Sequence, residues 1–212
     1  MVHIYYHVYA IDGVEPIIDE QLYLMKKHFN FPYILNVGIS IADENKSISN
    51  IIDKFKNVRD VRAKGHEFVT LDLIQKDREK FGDSDYILYL HTKGASKQND
   101  AQYDNIISWR HLMNYFNIEK HKLAFNLFEK TNFNTYGVLY SVLGNYKLYS
   151  GNFWWAKASY IKTIDLTGVK NNRFNAEIGY IQSGVDWKPY SPYDRNGYNH
   201  YSIKFDRKDY EI

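Results

Sequence analysis

The chain of 212 residues contains no cysteine. That excludes a disulfide-stapled fold, a thiol nucleophile and a zinc–thiolate centre. An excess of charge of one sign is also missing: 27 Lys and Arg stand against 25 Asp and Glu, a net charge of +2. So even a balance creates no field for gripping nucleic acid or an anionic membrane, and neither is expected as a partner. No apolar run approaches the ~20 residues that span a bilayer, so no membrane span is expected. The opening MVHIYYHVYA lacks a basic segment followed by a long apolar one, and no signal peptide is expected. A soluble protein of a reducing compartment follows: cytoplasmic, or in the host cytoplasm if the source is a virus. Internal repeats and long linkers are absent. The length suits a single domain over residues 1–212.

What the chain has in excess is aromatic surface: 20 Tyr, 12 Phe and 4 Trp. Such rings line sites for sugars and bases, which offer a face to stack on and groups to hydrogen-bond. An AT-rich genome enriches Tyr, Asn, Lys and Ile as well, so composition decides little here.

The order of elements says more. Val2 to Ala10 and Tyr33 to Ile41 read as strands, Val58 to Val61 as a weaker one, and Tyr86 to Leu90 as a buried strand. Between the first two, Pro16 suits a helix start, and Ile18, Leu22, Met25 and Phe29 recur at helical spacing. Ile48, Ile51, Ile52 and Phe55 suggest a short helix. Thr70 is placed as the N-cap of another, with Gly82 as its stop. Three strand–helix alternations in ninety residues predict a largely parallel sheet with helices on both faces. The glycine-rich phosphate motifs GxGxxG and the P-loop are missing. Later, Ile106, Trp109, Met113 and Phe116 form the apolar stripe of a helix. Tyr136 to Leu143 and Tyr149 to Trp155 read as strands, Ala156 to Ile164 and Arg173 to Ile181 as helices, and the tail from Trp187 as loops.

The stretch DYILYLHTKG, 85–94, stands out. A buried strand is followed at once by His91, Thr92, Lys93 and Gly94. Ligands of open α/β sheets bind at the carboxyl ends of strands, so these residues are site candidates. The phospholipase-D pattern HxKxxxxD is excluded, because Gln98 stands where the aspartate belongs and there is no second copy. The single DxD, Asp83-Ser84-Asp85, precedes the strand. It is read mainly as a turn at the amino edge, away from the ligand side, although such pairs elsewhere hold Mg²⁺ or Mn²⁺. Lys93 would bring a positive charge to a diphosphate, and His91 would ligate a metal or donate to a phosphate. A second stretch, Tyr149 to Trp155, places Ser150, Gly151 and Asn152 beside Trp154 and Trp155, a set that suits a sugar. The plainer reading makes the tryptophans core residues. Glu177 is a candidate base or sugar-hydroxyl ligand, and His200 a late alternative.

Taken together, YYHVYA at 5–10, EQL at 20–22, EFVTLDLI at 67–74, YLHTKGAS at 89–96, WRHLMNYF at 109–116, YSGNFWWAKASYI at 149–161 and, loosely, RFNAE at 173–177 resemble small glycosyltransferases of the GT-A type from bacteria, algae and large DNA viruses. The pieces run in order over about four-fifths of the chain. HTKG and SGNFWWA are the specific ones. The resemblance implies a GT-A-like (Rossmann-like) α/β fold, with a mixed, mostly parallel sheet of about six strands flanked by helices. It implies a nucleotide-sugar half over 1–95 and an acceptor half over 96–212. Val8, Tyr9 and Ala10 would hold base and ribose, with Thr70 nearby. His91, Thr92 and Lys93 would face the diphosphate. Ser150, Gly151, Asn152, Trp154 and Trp155 would border donor sugar and acceptor. Lys93 and Glu177 would be catalytic. A UDP-sugar is the expected donor, and a glycan or glycoprotein, such as a viral capsid or surface glycoprotein, the acceptor. A divalent cation, Mn²⁺ or Mg²⁺, held by His91 is the expected cofactor. The usual aspartate pair is absent from its place, which puts metal dependence in question. The reading from another class is a non-catalytic carbohydrate-binding module.

Overall fold

The computed structural model describes residues 1–45, 47–167, 169, 172–195 and 199–212. Its centre is a seven-stranded sheet. The strands are β1 (Val2–Ala10), β2 (Tyr33–Ile41), β3 (Val58–Ala63), β4 (Tyr86–His91), β5 (Thr135–Gly137), β8 (Trp154–Lys157) and β9 (Pro189–Tyr190). They lie in the order β3-β2-β1-β4-β8-β5-β9. A separate hairpin pairs β6 (Tyr140–Leu143) with β7 (Tyr146–Tyr149). β3, β2, β1 and β4 are parallel, β8 runs against both β4 and β5, and β5 is parallel to β9. One strand out of seven is therefore reversed, giving a mixed, mostly parallel α/β sheet. The seventh strand escapes the sequence because β5 and β9 have three and two residues, too few to show a period.

Helices cover both faces. The principal ones are α1 (Glu15–His28), α3 (Phe68–Asp77), α4 (Tyr103–Asn114) and α5 (Lys122–Lys130). Shorter ones are α2 (Ser49–Ile52), α6 (Ala158–Ile161) and α7 (Arg173–Ile178). Side chains of β1 alternate between two cores. Ile4, Tyr6, Val8 and Ala10 enter the larger core with α1 and α4. Tyr5 enters the other, with Phe68, Leu71 and Ile74 of α3.

Three expectations are corrected. The apolar run 136–143 is two short strands split by Val138 and Leu139, because Leu139 has φ of 57° and turns the chain. The run 149–155 splits likewise at Gly151 (φ 92°) and Asn152 (φ 56°). Thr70 is no N-cap: it lies inside α3, fully buried, and donates to the carbonyl of Gly38 at 3.3 Å. The gap it fills is closed, since a Cβ on Gly38 would meet Thr70 Oγ1 at 2.3 Å.

Parallel strands bring chain segments that are distant in sequence to one edge. β1, β3 and β4 all end at the carboxyl edge. The reversed β8 begins there, with Trp154 opposite Tyr89. The 91–97 loop, the start of α3 and the 150–153 turn consequently meet. Asp83 and Asp85 sit at the opposite edge, as read. Asp85 pairs with the Met1 ammonium at 2.7 Å and with His3 at 3.1 Å, and Asp83 with Lys162 at 2.6 Å. No helix among the described residues is long and apolar enough to cross a membrane.

Candidate functional site

A cleft opens at this carboxyl edge, with a volume of about 840 Å³ counted out to its mouth. The end of β1 supplies His7 and Tyr9, and the start of α3 supplies His66 and Glu67. β4 and its loop supply His91 to Lys97. The 150–153 turn supplies Gly151 and Asn152, α7 supplies Glu177, and the C-terminal segment supplies Tyr201.

Lys93 is the buried cation of this cleft. The residue is only 9% exposed. Its Nζ lies 3.9 Å from the ring centroid of Trp109 and 5.7 Å from that of Tyr201. Among the described residues it forms no ion pair. Removing an ammonium from water is costly, and the π faces return about 0.5–2 kcal/mol of that. An anion in the cleft would supply the missing partner. Gly94 follows with φ of 90°, a conformation that suits glycine, and a Cβ there would meet Ile106 Cγ2 at 2.9 Å.

The segment is held from below. Arg110 Nη1 donates to the Lys93 carbonyl at 3.1 Å, and Gln21 Nε2 to the His91 carbonyl at 3.2 Å. Glu20 ties the two helices together, accepting from Arg110 at 2.9 Å and from Asn114 Nδ2 at 2.8 Å. Burial pushes the Glu20 carboxyl up, but hydrogen bonds from His111 and Arg110 and the Arg110 charge outweigh it and hold the group at about 2. Thr92 Oγ1 accepts from the Tyr9 amide at 3.0 Å, joining the ends of β1 and β4.

The cleft also has an acidic wall. Glu67 Oε2 accepts from Asn152 Nδ2 at 2.6 Å and from Tyr89 Oη at 2.8 Å. Glu177 Oε1 accepts from the Gly151 amide at 2.8 Å. The Gly151 carbonyl accepts from His91 Nε2 at 2.9 Å, which requires the proton on that nitrogen. Two carboxylates and an imidazole thus fix one turn. That turn needs glycine at 151, where a Cβ would meet Met113 Sδ at 2.5 Å. Behind it, His7 Nδ1 bonds Thr70 Oγ1 at 3.0 Å and Nε2 bonds Ser40 Oγ at 3.2 Å. Burial lowers His7 to about 3, against the pull of the Glu67 charge, so its ring is neutral near pH 7.

Of the residues singled out from sequence, Tyr9, His91, Thr92, Lys93, Gly151, Asn152 and Glu177 line the cleft. Val8 and Ala10 do not: strand alternation turns them into the larger core, 0% and 4% exposed. Ser150 faces Ser141, Oγ to Oγ at 3.1 Å, away from the cleft. Trp154 and Trp155 are fully buried. Trp154 stacks on Tyr89 and Tyr180, and its Nε1 donates to Asn152 Oδ1. Trp155 Nε1 donates to the Asn117 carbonyl. They hold the turn and the sheet rather than border a sugar, because a strand paired on both sides and packed on both faces buries its side chains. Thr70 reaches the cleft only through His7. His200 packs edge-on against Trp109 behind Lys93.

Sequence reasoning missed Glu67 and His7. Period-two alternation with Tyr9 marks His7. Glu67 follows β3 as Lys93 follows β4, but β3 reads weakly because its burial alternates in VRDVRA.

A divalent cation fits these donors poorly. Such ions take about six oxygen ligands. Here one oxygen of each glutamate already accepts from N–H or O–H groups, and His91 Nε2 carries a proton. Among the described residues no three His, Asp or Glu side chains group so as to hold a metal.

Fold and site define a mostly parallel α/β protein whose polar cleft lies at the carboxyl edge of its strands. The chain belongs to the family described as "Domain of unknown function (DUF8361)", which matches residues 3–190. No curated protein matches it. Among solved structures, one similar to it is the crystal structure of a 4-diphosphocytidyl-2C-methyl-D-erythritol synthase. The identity is 13% over 98% of this chain and 93% of that one, at a TM-score of 0.42.

Proposed function

We propose that the protein is a glycosyltransferase of the GT-A type, moving a sugar from a nucleotide diphosphate donor, a UDP-sugar, to a glycan acceptor. The observation that carries the proposal is Lys93: a cation nine-tenths buried, without a carboxylate partner among the described residues, on the wall of a cleft at the carboxyl edge. In sugar transfer the bond from the anomeric carbon to the diphosphate breaks, and its electron pair leaves with the diphosphate. A bond forms from that carbon to an acceptor oxygen. Lys93 would meet the growing negative charge, and Glu177 would take the acceptor proton.

The tryptophan platform that a carbohydrate-binding module would use is buried, so this second reading has less to stand on. A thermal-shift screen with UDP, GDP, CMP and dTDP, in Mn²⁺ and in EDTA, separates the two. Stabilisation by UDP supports the transferase. A response to free oligosaccharide with none to nucleotides would leave a binding module. The donor set around His91 predicts the same shift with and without chelator; a shift seen only in Mn²⁺ would restore the cation.

A further inference from the structure

The walls of the cleft carry charge of both signs: Lys93, and the carboxylates Glu67 and Glu177, which are both fixed to neighbouring residues of one turn, Gly151 and Asn152. The acidic wall is rigid. Glu67 is held by two donors from different elements, Tyr89 on β4 and Asn152 before β8. The Asn152 amide is itself held by the Ala176 carbonyl and by Trp154 Nε1. A second lysine of the cleft, Lys97, does not compensate this wall, because it pairs with Asp100 at 3.3 Å.

Fixed carboxylates accept hydrogen bonds and repel anions. A ligand matched to both walls has an anionic end for Lys93 and a neutral, hydroxyl-rich end for Glu67 and Glu177. Building on the transferase reading, we infer that the donor sugar is a neutral one and that Glu67 determines this specificity. A uronic acid would place a third carboxylate against two that cannot move away. Specificity of this kind comes from repulsion of the wrong ligand as much as from attraction of the right one.

The test is calorimetric binding of UDP, UDP-glucose and UDP-glucuronate at pH 8, above the ordinary imidazole range, so that histidine charge plays no part. Wild type is expected to bind UDP-glucose about tenfold or more tighter than UDP-glucuronate. Glu67→Gln keeps an acceptor for Tyr89 and Asn152 and removes the charge. It is expected to narrow that ratio at least several-fold. Glu177→Gln is the second variant and narrows the ratio in the same direction. Equal binding of the two sugar nucleotides by wild type overturns the inference, as does a ratio unmoved in folded Glu67→Gln. Failure of UDP itself to bind overturns the transferase reading and this inference with it. UDP binding without discrimination overturns the inference alone.

Discussion

Lys93 and Gly151 make demands on the cleft that differ in kind. Lys93 contributes charge. Lys93→Ala is expected to leave the melting temperature within a few degrees of wild type, because removing a buried cation with no ion pair among the described residues strands no partner. It should cut donor turnover by about 10²–10³-fold, the usual cost of losing one group that meets charge in the transition state. Sugar release from a UDP-sugar checks this, and near-normal turnover would remove Lys93 from the mechanism. Gly151 contributes space. Gly151→Ala forces a Cβ to within 2.5 Å of Met113 Sδ at a φ of 92°, and overpacking of this kind costs about 1–3 kcal/mol. Urea denaturation should show the loss, with the turn and both of its glutamates displaced.

At the scale of elements, α1 and α4 act as one clamp under the 91–94 segment. Glu20 and Gln21 come from α1, Arg110 and Asn114 from α4, and two of the four bond backbone carbonyls of the loop. Arg110 is 4% exposed and cannot be replaced by water. Arg110→Met is expected to cost about 2–4 kcal/mol, since it takes a buried charged donor from the Glu20 carboxylate and a donor from the Lys93 carbonyl. Binding of UDP should weaken in the same variant. Arg110→Met with Glu20→Met should recover part of the stability, but not the binding, because the carbonyl stays unheld. Guanidinium melts and calorimetry on the single and double variants decide this. These residues were present in EQL and WRHLMNYF, yet neither motif reveals a clamp. Arg110 reads as lying off an apolar stripe, and only the packing of α1 against α4 turns it inward.

Across the whole molecule, buried and half-buried groups tie stability to pH in one direction, His7, Glu20 and Asp77 among them. His7 is lowered to about 3 by burial. Between that value and its ordinary 6.5 the unfolded chain binds the extra proton, so stability falls as pH drops below 6.5. Glu20 is held at about 2. Asp77 is as well, because hydrogen bonds from Arg59, Lys80 and Tyr5 outweigh the upward push of burial. Their contribution is present above the ordinary carboxylate range and is lost as pH falls through it towards 2. Melting temperature should therefore be flat above pH 7, decline between 6.5 and 5, and fall steeply below 4.5. His7→Gln should shrink the first decline and keep the second, the remainder coming from His121 and His200, which burial also lowers; a slope between 6.5 and 5 equal to wild type would show that His7 is not buried neutral.

The order of strands and helices over the first ninety residues was readable from residues alone, because buried parallel strands and amphipathic helices write their periods into the chain. So was Lys93, since a strand that ends in polar residues marks its own carboxyl edge. The partnership of Glu67, Glu177 and the 151–152 turn was not readable, and the burial of Trp154 and Trp155 was only the plainer of two readings. Both depend on β8 running backwards between β4 and β5. The direction in which a four-residue strand enters a sheet is a consequence of pairing between distant segments, and no local period encodes it.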